Sequence, residues 1–336
     1  MINHSDSIAS TTAQSQDLAL SAFSEKDQKW DYHRANTQRV GNLYSDLQEF
    51  QKLSKRMHEC SYFLNFHELV NKETGECSLK LYQANFCHVR HCPVCQWRKS
   101  MRQQARFFER IPSVLDEYPD AAWLFLTLTV KNPEMQDLRT TLQSMNKAFK
   151  RFAERKDFPA VGYIRTTEIT LGQDGNPHPH FHCLLMVKKS YFQGGVYLSQ
   201  EAWTQMWQEC MRIDYKPMVN VKKVRATSEK AKLAEKEEGV LAGLRAAVVE
   251  TLKYSVKPED TLKSPAFLYG VTRELHKLRF LATGGILKDF LKDEVSEDEM
   301  IDTGAEEEPK ETPEDAPSVL FSWRRKEKQY RKVSQK

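Results

Sequence analysis

Three histidines stand together at His178-Pro179-His180-Phe181-His182. Side chains alternate along an extended chain, so His180 and His182 share one face of a strand while Phe181 and Cys183 point the other way. Two imidazoles at that spacing can close on one divalent ion. The preceding strand offers Glu168 as a third ligand. If the hairpin sets Glu168 opposite His182, Thr170 falls opposite His180 and all four side chains project to one side. A slip of one residue in that register would remove the carboxylate from the site. Two histidines and one carboxylate leave coordination positions open, as a catalytic ion requires. His178 has the parity of a fourth ligand, although Pro179 and the adjoining turn leave its position open. Imidazole ligands also accept Mn²⁺, Co²⁺ and Zn²⁺, so composition does not name the ion.

A second group is Glu250-Thr251-Leu252-Lys253-Tyr254-Ser255-Val256-Lys257. The pattern predicts a helix from about 239 to 256, stopped near Pro258. On such a helix Glu250 and Tyr254 are four apart and stack on one face, with Lys257 three further on. Leu241, Leu244 and Val248 hold another face against the core. A phenol has a pKa near 10 and is a weak nucleophile until a polarised electrophile or a base assists it. A carboxylate one turn away can then serve as base for a second nucleophile such as water. Taken alone, the same residues also suit an amphipathic anchor with a solvated Glu250–Lys253 pair.

The third group is made of cysteines. Cys92-Pro93-Val94-Cys95 has the two-residue spacer of a zinc knuckle, with Cys87 five residues before Cys92. Cys60 is the best remote candidate for the fourth ligand, and Cys77, His88 and His91 remain alternatives. Four thiolates would form a closed, structural zinc site. A redox dithiol fits less well, because no βαβ pattern surrounds the motif. Arg90, Arg98, Lys99, Arg102 and Arg106 lie close by and could meet phosphates, or form an ordinary solvated face.

The elements that must position these groups follow from periodicity. The Trp123–Val130 stretch reads as a strand with Thr127 and Thr129 on one face. Leu138, Leu142, Met145, Ala148, Phe149 and Phe152 recur at helical spacing. Two further strands run from Gly162 to Leu171 and from His180 to Val187, joined by the turn residues Gly172 to Pro177. Residues 27–58, 98–110 and 199–212 read as helix, and 218–225 as a strand. The fold class expected is α+β: an antiparallel sheet flanked by helices, preceded by a cysteine-rich zinc-binding module.

The 336 residues carry a net charge of +4 that hides an asymmetry. Residues 289–315 hold thirteen Asp and Glu against two lysines, leaving +15 on the rest. A basic body suits a polyanion such as nucleic acid, and the acidic stretch suggests an autoinhibitory mask over it. No run approaches a transmembrane helix, and mean hydropathy is −0.64. The start, Met1 to Asp6, lacks the features of a secretory signal, so a cytoplasmic location is expected, with free or metal-bound thiols. Four segments are expected: a disordered leader (1–26), a helical and cysteine-rich module (27–112), a catalytic domain (113–290) and a disordered tail, acidic and then basic (291–336).

Phe125-Leu126-Thr127-Leu128-Thr129, His178-Pro179-His180-Phe181-His182 and Lys253-Tyr254-Ser255-Val256-Lys257, in that order, resemble the three motifs of rolling-circle plasmid replication initiators (Rep proteins) of the HUH endonuclease superfamily. Upstream, Arg56 to Cys60 and Cys87 to Arg98 resemble the cysteine-rich region of the plasmid branch. The resemblance spans roughly residues 28–290. It implies an HUH-type (RRM-like palm) sheet and a plasmid-encoded, bacterial or archaeal nickase-ligase acting on single-stranded or extruded origin DNA. It further implies Mg²⁺ or Mn²⁺ on His180, His182 and Glu168. Tyr254 would form a 5′-phosphotyrosine and leave a 3′-hydroxyl primer. Glu250, in place of a second tyrosine, would activate water for termination, and Lys257 would contact the phosphate or tune Tyr254. No Walker motif occurs, so a host helicase and polymerase are the implied partners. The alternatives are an HUH transposase or mobilisation relaxase, and a zinc-dependent DNA-binding regulator that no longer cuts.

Overall fold

A computed structural model describes residues 18–70, 75, 77–225, 240–291 and 317–333. The chain divides into two units, residues 1–99 with 295–336, and residues 100–294.

The second unit is built on a five-stranded sheet of β3 (Ala121–Thr129), β4 (Gly162–Leu171), β5 (Pro177–Lys188), β6 (Val219–Lys223) and β7 (Leu281–Gly285), in the order β6-β3-β5-β4-β7. Every pairing is antiparallel. The period-2 pattern of β3 and β5 splits their side chains between two cores. Leu124, Leu126, Leu128, Phe181, Cys183 and Leu185 face the helices Leu138–Ala153 and Gln200–Met211. Trp123, Ile164, Leu184 and Met186 pack on the opposite side with Phe107 and Ile111, and with Leu244, Val248 and Leu252. The helix Pro93–Glu117, which supplies Phe107 and Ile111, begins at its proline, the residue best suited to a first helical position. It runs on past the Arg110 end expected from sequence and through Pro112.

The β4–β5 hairpin closes over Gly172–Asn176, where the N–H of Gly172 donates to Asn176 O at 2.8 Å and Gly175 takes a left-handed φ of 82°. A side chain there would strain the turn. Pro177, expected in the turn, instead opens β5 opposite Leu171, a position that asks no N–H of it. The register therefore differs by two residues from the expected one: Glu168 faces His180, Thr166 faces His182 and Thr170 faces His178. A shift of two preserves parity, so the carboxylate stays on the histidine face.

The first unit holds a four-stranded sheet of β1 (Phe63–Val70), β2 (Cys77–Ala84), β8 (Ser318–Arg324) and β9 (Gln329–Lys332), in the order β2-β1-β8-β9. Two of its helices are Lys29–Ser45 and Gln51–Glu59. Leu64, Phe66, Val319, Phe321 and Trp323 are buried. This corrects the expected disordered tail over 317–333. Val319, Phe321 and Trp323 alternate as a half-buried strand should, and β8 pairs with β1. It also corrects the leader from residue 18 onward: Leu20 is fully buried, and Ala19 forms a bridge to Arg331. Residues 1–17, the connector 226–239 and the acidic stretch 292–316 lie outside the described residues.

Candidate active site and thiolate cluster

On the face of the five-stranded sheet that carries Leu184 and Met186, the next even-numbered positions of β5 are His182 and His180. The face thus changes from core to ligand set along one strand. Glu168, from β4, is buried among them. Its Oε2 lies 2.9 Å from His180 Nε2 and 2.7 Å from His182 Nε2. Ligand atoms of the three residues fall within 4.8 Å of one another, a grouping able to hold a metal ion.

The far sides of both rings are held. His180 Nδ1 is 3.2 Å from the carbonyl of His178, and His182 Nδ1 is 3.4 Å from Thr127 Oγ1. Phe125 stacks on the His182 ring at 5.4 Å between centroids. Such contacts fix tautomer and orientation, leaving each Nε2 to point into the site. His180 faces acceptors at both nitrogens, whereas a neutral imidazole has only one donor. Either a second ring proton or a metal cation between Nε2 and the carboxylate removes that mismatch. The metal cation would also engage Glu168 Oε1, which is buried and accepts no hydrogen bond. The residues present fit a divalent ion.

His178 does not join the set. Its Nδ1 hydrogen-bonds Asn132 Oδ1 at 2.7 Å, and burial together with the neighbouring His180 holds its pKa below the ordinary value.

The helix expected over 239–256 ends at Thr251, which corrects the stacking of Glu250 and Tyr254 on one helical face. Side chains capture the carbonyls at its end: Thr166 Oγ1 donates to Thr251 O, and Ser100 Oγ donates to Leu252 O at 2.6 Å. The chain then turns extended. Ile169 N–H donates to Ser255 O at 2.8 Å, and Val256 bridges Ile169 in parallel, continuing along the free part of β4. Tyr254 sits half-buried in the turn between helix and bridge, directly after Lys253.

Glu250, at the helix end, places Oε1 3.8 Å from His182 Nε2 with nearly half its side chain exposed. Lys253, absent from the sequence-derived set, is the closest cation to Glu168: its Nζ lies 2.9 Å from Oε2, and 2.5 Å from Glu250 Oε1. Lys257 Nζ stands 3.5 Å from Glu168 Oε1. Burial opposes ionisation of Glu168, but the bonds from His180 and His182, the charge of His180 and the bond from Lys253 overcome it. They hold the carboxyl well below the usual range. Burial likewise opposes the charge on Lys253, yet its bonds to Glu250 and Glu168 raise its pKa. The i,i+3 spacing from Glu250 signalled a pair on a helix surface; only the turn after Thr251 brings Lys253 inward.

In the first unit Cys60, Cys87, Cys92 and Cys95 converge, all buried. Three sulfur pairs measure 3.6, 3.7 and 3.6 Å. A tetrahedron with Zn–S arms of about 2.3 Å has edges of about 3.8 Å, so the thiols already approach zinc geometry. Cys60 caps the helix Gln51–Glu59, and Cys92 and Cys95 flank the start of the helix that opens at Pro93. Burial opposes the Cys92 thiolate, but contacts from Cys60, Cys87, Cys95 and Thr37 hold its pKa well below the ordinary thiol value. Burial, with contacts from Cys60 and Cys92, pushes Cys87 up, and burial with contacts from Cys60, Cys87 and Cys92 pushes Cys95 up. Cys77 is exposed, and neither it nor His88 nor His91 belongs to the group, whose fourth cysteine is Cys60.

The fold and these two clusters define an α+β protein with two groups suited to metal ions. The replication protein family matches residues 78–331, and the chain belongs to that family. It is 33% identical over 275 residues to a "Protein rep" of Streptococcus pneumoniae serotype 2, covering 80% of each chain. A "Protein rep" of Lactiplantibacillus plantarum is 35% identical over 286 residues, covering 80% of this chain and 86% of the relative. A "Replication protein" of Staphylococcus aureus is 31% identical over 234 residues, 66% of this chain and 94% of the relative. No solved structure matches. The expected kinship with plasmid rolling-circle replication initiators is borne out at the level of the family. Among the described residues no helix is long and apolar enough to cross a membrane.

Proposed function

We propose that the protein starts rolling-circle replication by cutting one strand of plasmid origin DNA through Tyr254, with the five-stranded unit acting as an HUH-type nuclease. The observation that carries this reading is the buried Glu168–His180–His182 cluster beside the turn that bears Tyr254. A Mg²⁺ or Mn²⁺ ion held by these three residues would supply Lewis-acid polarisation of the scissile phosphate. The protein's own part is to orient and to move protons. Glu168 gathers the two Nε2 atoms; His178 O and Thr127 hold the rings.

The Tyr254 oxygen forms the new bond to phosphorus as the bond from phosphorus to the 3′-oxygen breaks. The phenol proton passes to solvent, and the departing 3′-oxygen takes one up. The product is a 5′-phosphotyrosine and a primer 3′-hydroxyl. Because one ester replaces another, rejoining needs no nucleotide cofactor. Lys253 and Lys257 flank Glu168 and offset phosphate charge at the mouth of the site. Glu250, partly exposed and bonded to Lys253, takes a proton from water in the terminating cleavage. The thiolate cluster holds a structural Zn²⁺. A host helicase and polymerase would extend the primer.

The test incubates the protein with labelled single strands tiling its own replicon's origin, with Mn²⁺ or with EDTA. A Mn²⁺-dependent covalent adduct is expected, mapped to Tyr254 by peptide mass spectrometry and lost in Tyr254→Phe, which still binds. Binding across the tiled set without any adduct would overturn the nuclease reading in favour of a regulator that does not cut.

A further inference from the structure

The four-stranded sheet of the first unit has a second face. Register places Leu64 and Phe66 with Phe321 and Val319 on the buried side, so Phe63 and Asn65, with Ser322 and Leu320, lie on the other. Asn65 faces Gln83 on β2 and His67 faces Lys80, extending this face across the hairpin. On the far side, β9 brings Arg331 opposite Ser322, and Gln329 opposite Arg324.

Two aromatic side chains remain open here: Phe63 is 50% exposed and Tyr82, at the irregularity in the β1–β2 register, 62%. Between Phe63 and the β2 end lies a hollow of about 500 Å³ lined by Phe63, Asn65, Gln83, Ala84, Asn85 and Leu320. Its polar lining is three amides, each able to donate and to accept. Asn65 Oδ1 is shielded from solvent and has no hydrogen-bond partner. A buried acceptor left without a donor is costly, so turning the Asn65 amide outward to meet a ligand N–H is favoured.

The surroundings are cationic. On this face or in the β8–β9 turn stand Lys80, Arg324, Arg325, Lys326, Lys328 and Arg331 against Glu327, which is bonded to Arg331 at 2.9 Å. An exposed ring, three amides and a basic margin match the three parts of an unpaired nucleotide: a flat π-face, a hydrogen-bonding edge and a phosphate. A paired base would hide both face and edge. A protein partner would find little apolar area and an excess of one charge.

We propose that this hollow takes an unpaired base of single-stranded DNA, stacked on Phe63 and read by the amides of Asn65, Gln83 and Asn85, with Arg324 and Lys80 meeting flanking phosphates. The inference rests on DNA being the partner. It gives the zinc-bearing unit a binding site of its own.

The probe is a fluorescein-labelled 20-nucleotide mixed-sequence single strand, and the same strand annealed to its complement, bound to the full chain by anisotropy over a salt series. Phe63→Ala should weaken single-strand binding about tenfold or more with an unchanged salt slope, as loss of one stacked base does. Phe63→Trp should retain it. Arg324→Ala should reduce the slope by about one. Zinc content and the Tyr254 adduct on saturating origin strand should stay at wild-type levels in all three. Wild-type single-strand affinity in Phe63→Ala overturns this proposal while leaving the nuclease reading intact. An equal loss on the duplex also overturns it. Failure of the wild-type chain to bind either probe counts against the DNA reading as a whole.

Discussion

Replacing Cys92 by alanine separates two accounts of the thiolate cluster by magnitude. If the four sulfurs are only a packed core, the substitution removes one buried atom and leaves a small cavity, at a cost of about 1–2 kcal/mol. For a unit of about 140 residues that lowers Tm by roughly 3–10 °C and leaves a cooperative transition. If they hold zinc, the ion contributes about 10–16 kcal/mol of apparent folding free energy, as much as or more than the roughly 5–15 kcal/mol by which a domain is stable. Loss of one of four ligands should then abolish the transition of the first unit. The sulfur separations of 3.6–3.7 Å suit a zinc tetrahedron and ordinary sulfur packing alike, so the size of the loss, not the geometry, decides between the two accounts.

The assay reads zinc per chain by atomic emission and unfolding by calorimetry, for wild type, Cys92→Ala and Cys77→Ala. We expect one zinc in the wild type and in Cys77→Ala, whose exposed sulfur lies outside the cluster, and less than half a zinc with no first-unit transition in Cys92→Ala. A wild-type protein purified without zinc, with a Cys92→Ala transition shifted only by the packing amount, would refute the reasoning.

His182→Ala should weaken Mn²⁺ binding at the Glu168–His180–His182 cluster more than about 100-fold by calorimetric titration while leaving zinc content unchanged, because even a change behind a ligand costs 10- to 100-fold; undiminished Mn²⁺ affinity would remove His182 from the proposed ligand set. Glu250→Ala should form the Tyr254 adduct normally but accumulate it on a substrate carrying a second cut site; timely release would show that Glu250 is not the base. Burial raises the Asp31 carboxyl, more than its bond from the Tyr330 N–H and the charge of Arg331 lower it. The folded chain therefore keeps that proton to higher pH than the unfolded chain does. Stability falls as pH rises through the unfolded pKa and levels off above the folded one. In Asp31→Asn an amide keeps the acceptor without the charge, so its Tm should exceed wild type at pH 7 and match it below about pH 3; a lower Tm at pH 7 would show that Arg331 outweighs burial.

The sheet that bears Glu168, His180 and His182 was legible because β3, β4 and β5 are strand-length runs of apolar, aromatic and β-branched residues, and Gly172 to Pro177 mark the turn between β4 and β5. Parity placed the ligands on one face even though the register was two residues off. That error came from Pro177, which local chemistry puts in a turn and long-range pairing puts in a strand. The helix bearing Glu250 was legible only as far as Thr251. Its end is set by Thr166 and Ser100, donors 85 and 152 residues away in sequence that no local pattern reveals. The same blindness hid Lys253. β1 and β2 were masked by the cysteines around them, and β8 and β9 by the charges of a segment that reads as tail. Val319, Phe321 and Trp323 alternate clearly, but their partner β1 lies some 250 residues earlier.

That separation has a consequence for synthesis. At about 5–20 residues per second, β8 leaves the ribosome roughly 10–50 seconds after β2. Throughout that interval β1 has an open edge, with its apolar side chains lacking Phe321 and Trp323, while the strands and helices of the second unit emerge and can pair among themselves. All strands of the second unit thus emerge before the unit that precedes it in sequence can be closed. A nascent chain halted before β8 would carry Glu168, His180, His182 and Tyr254 while its first unit still lacked two of its four strands.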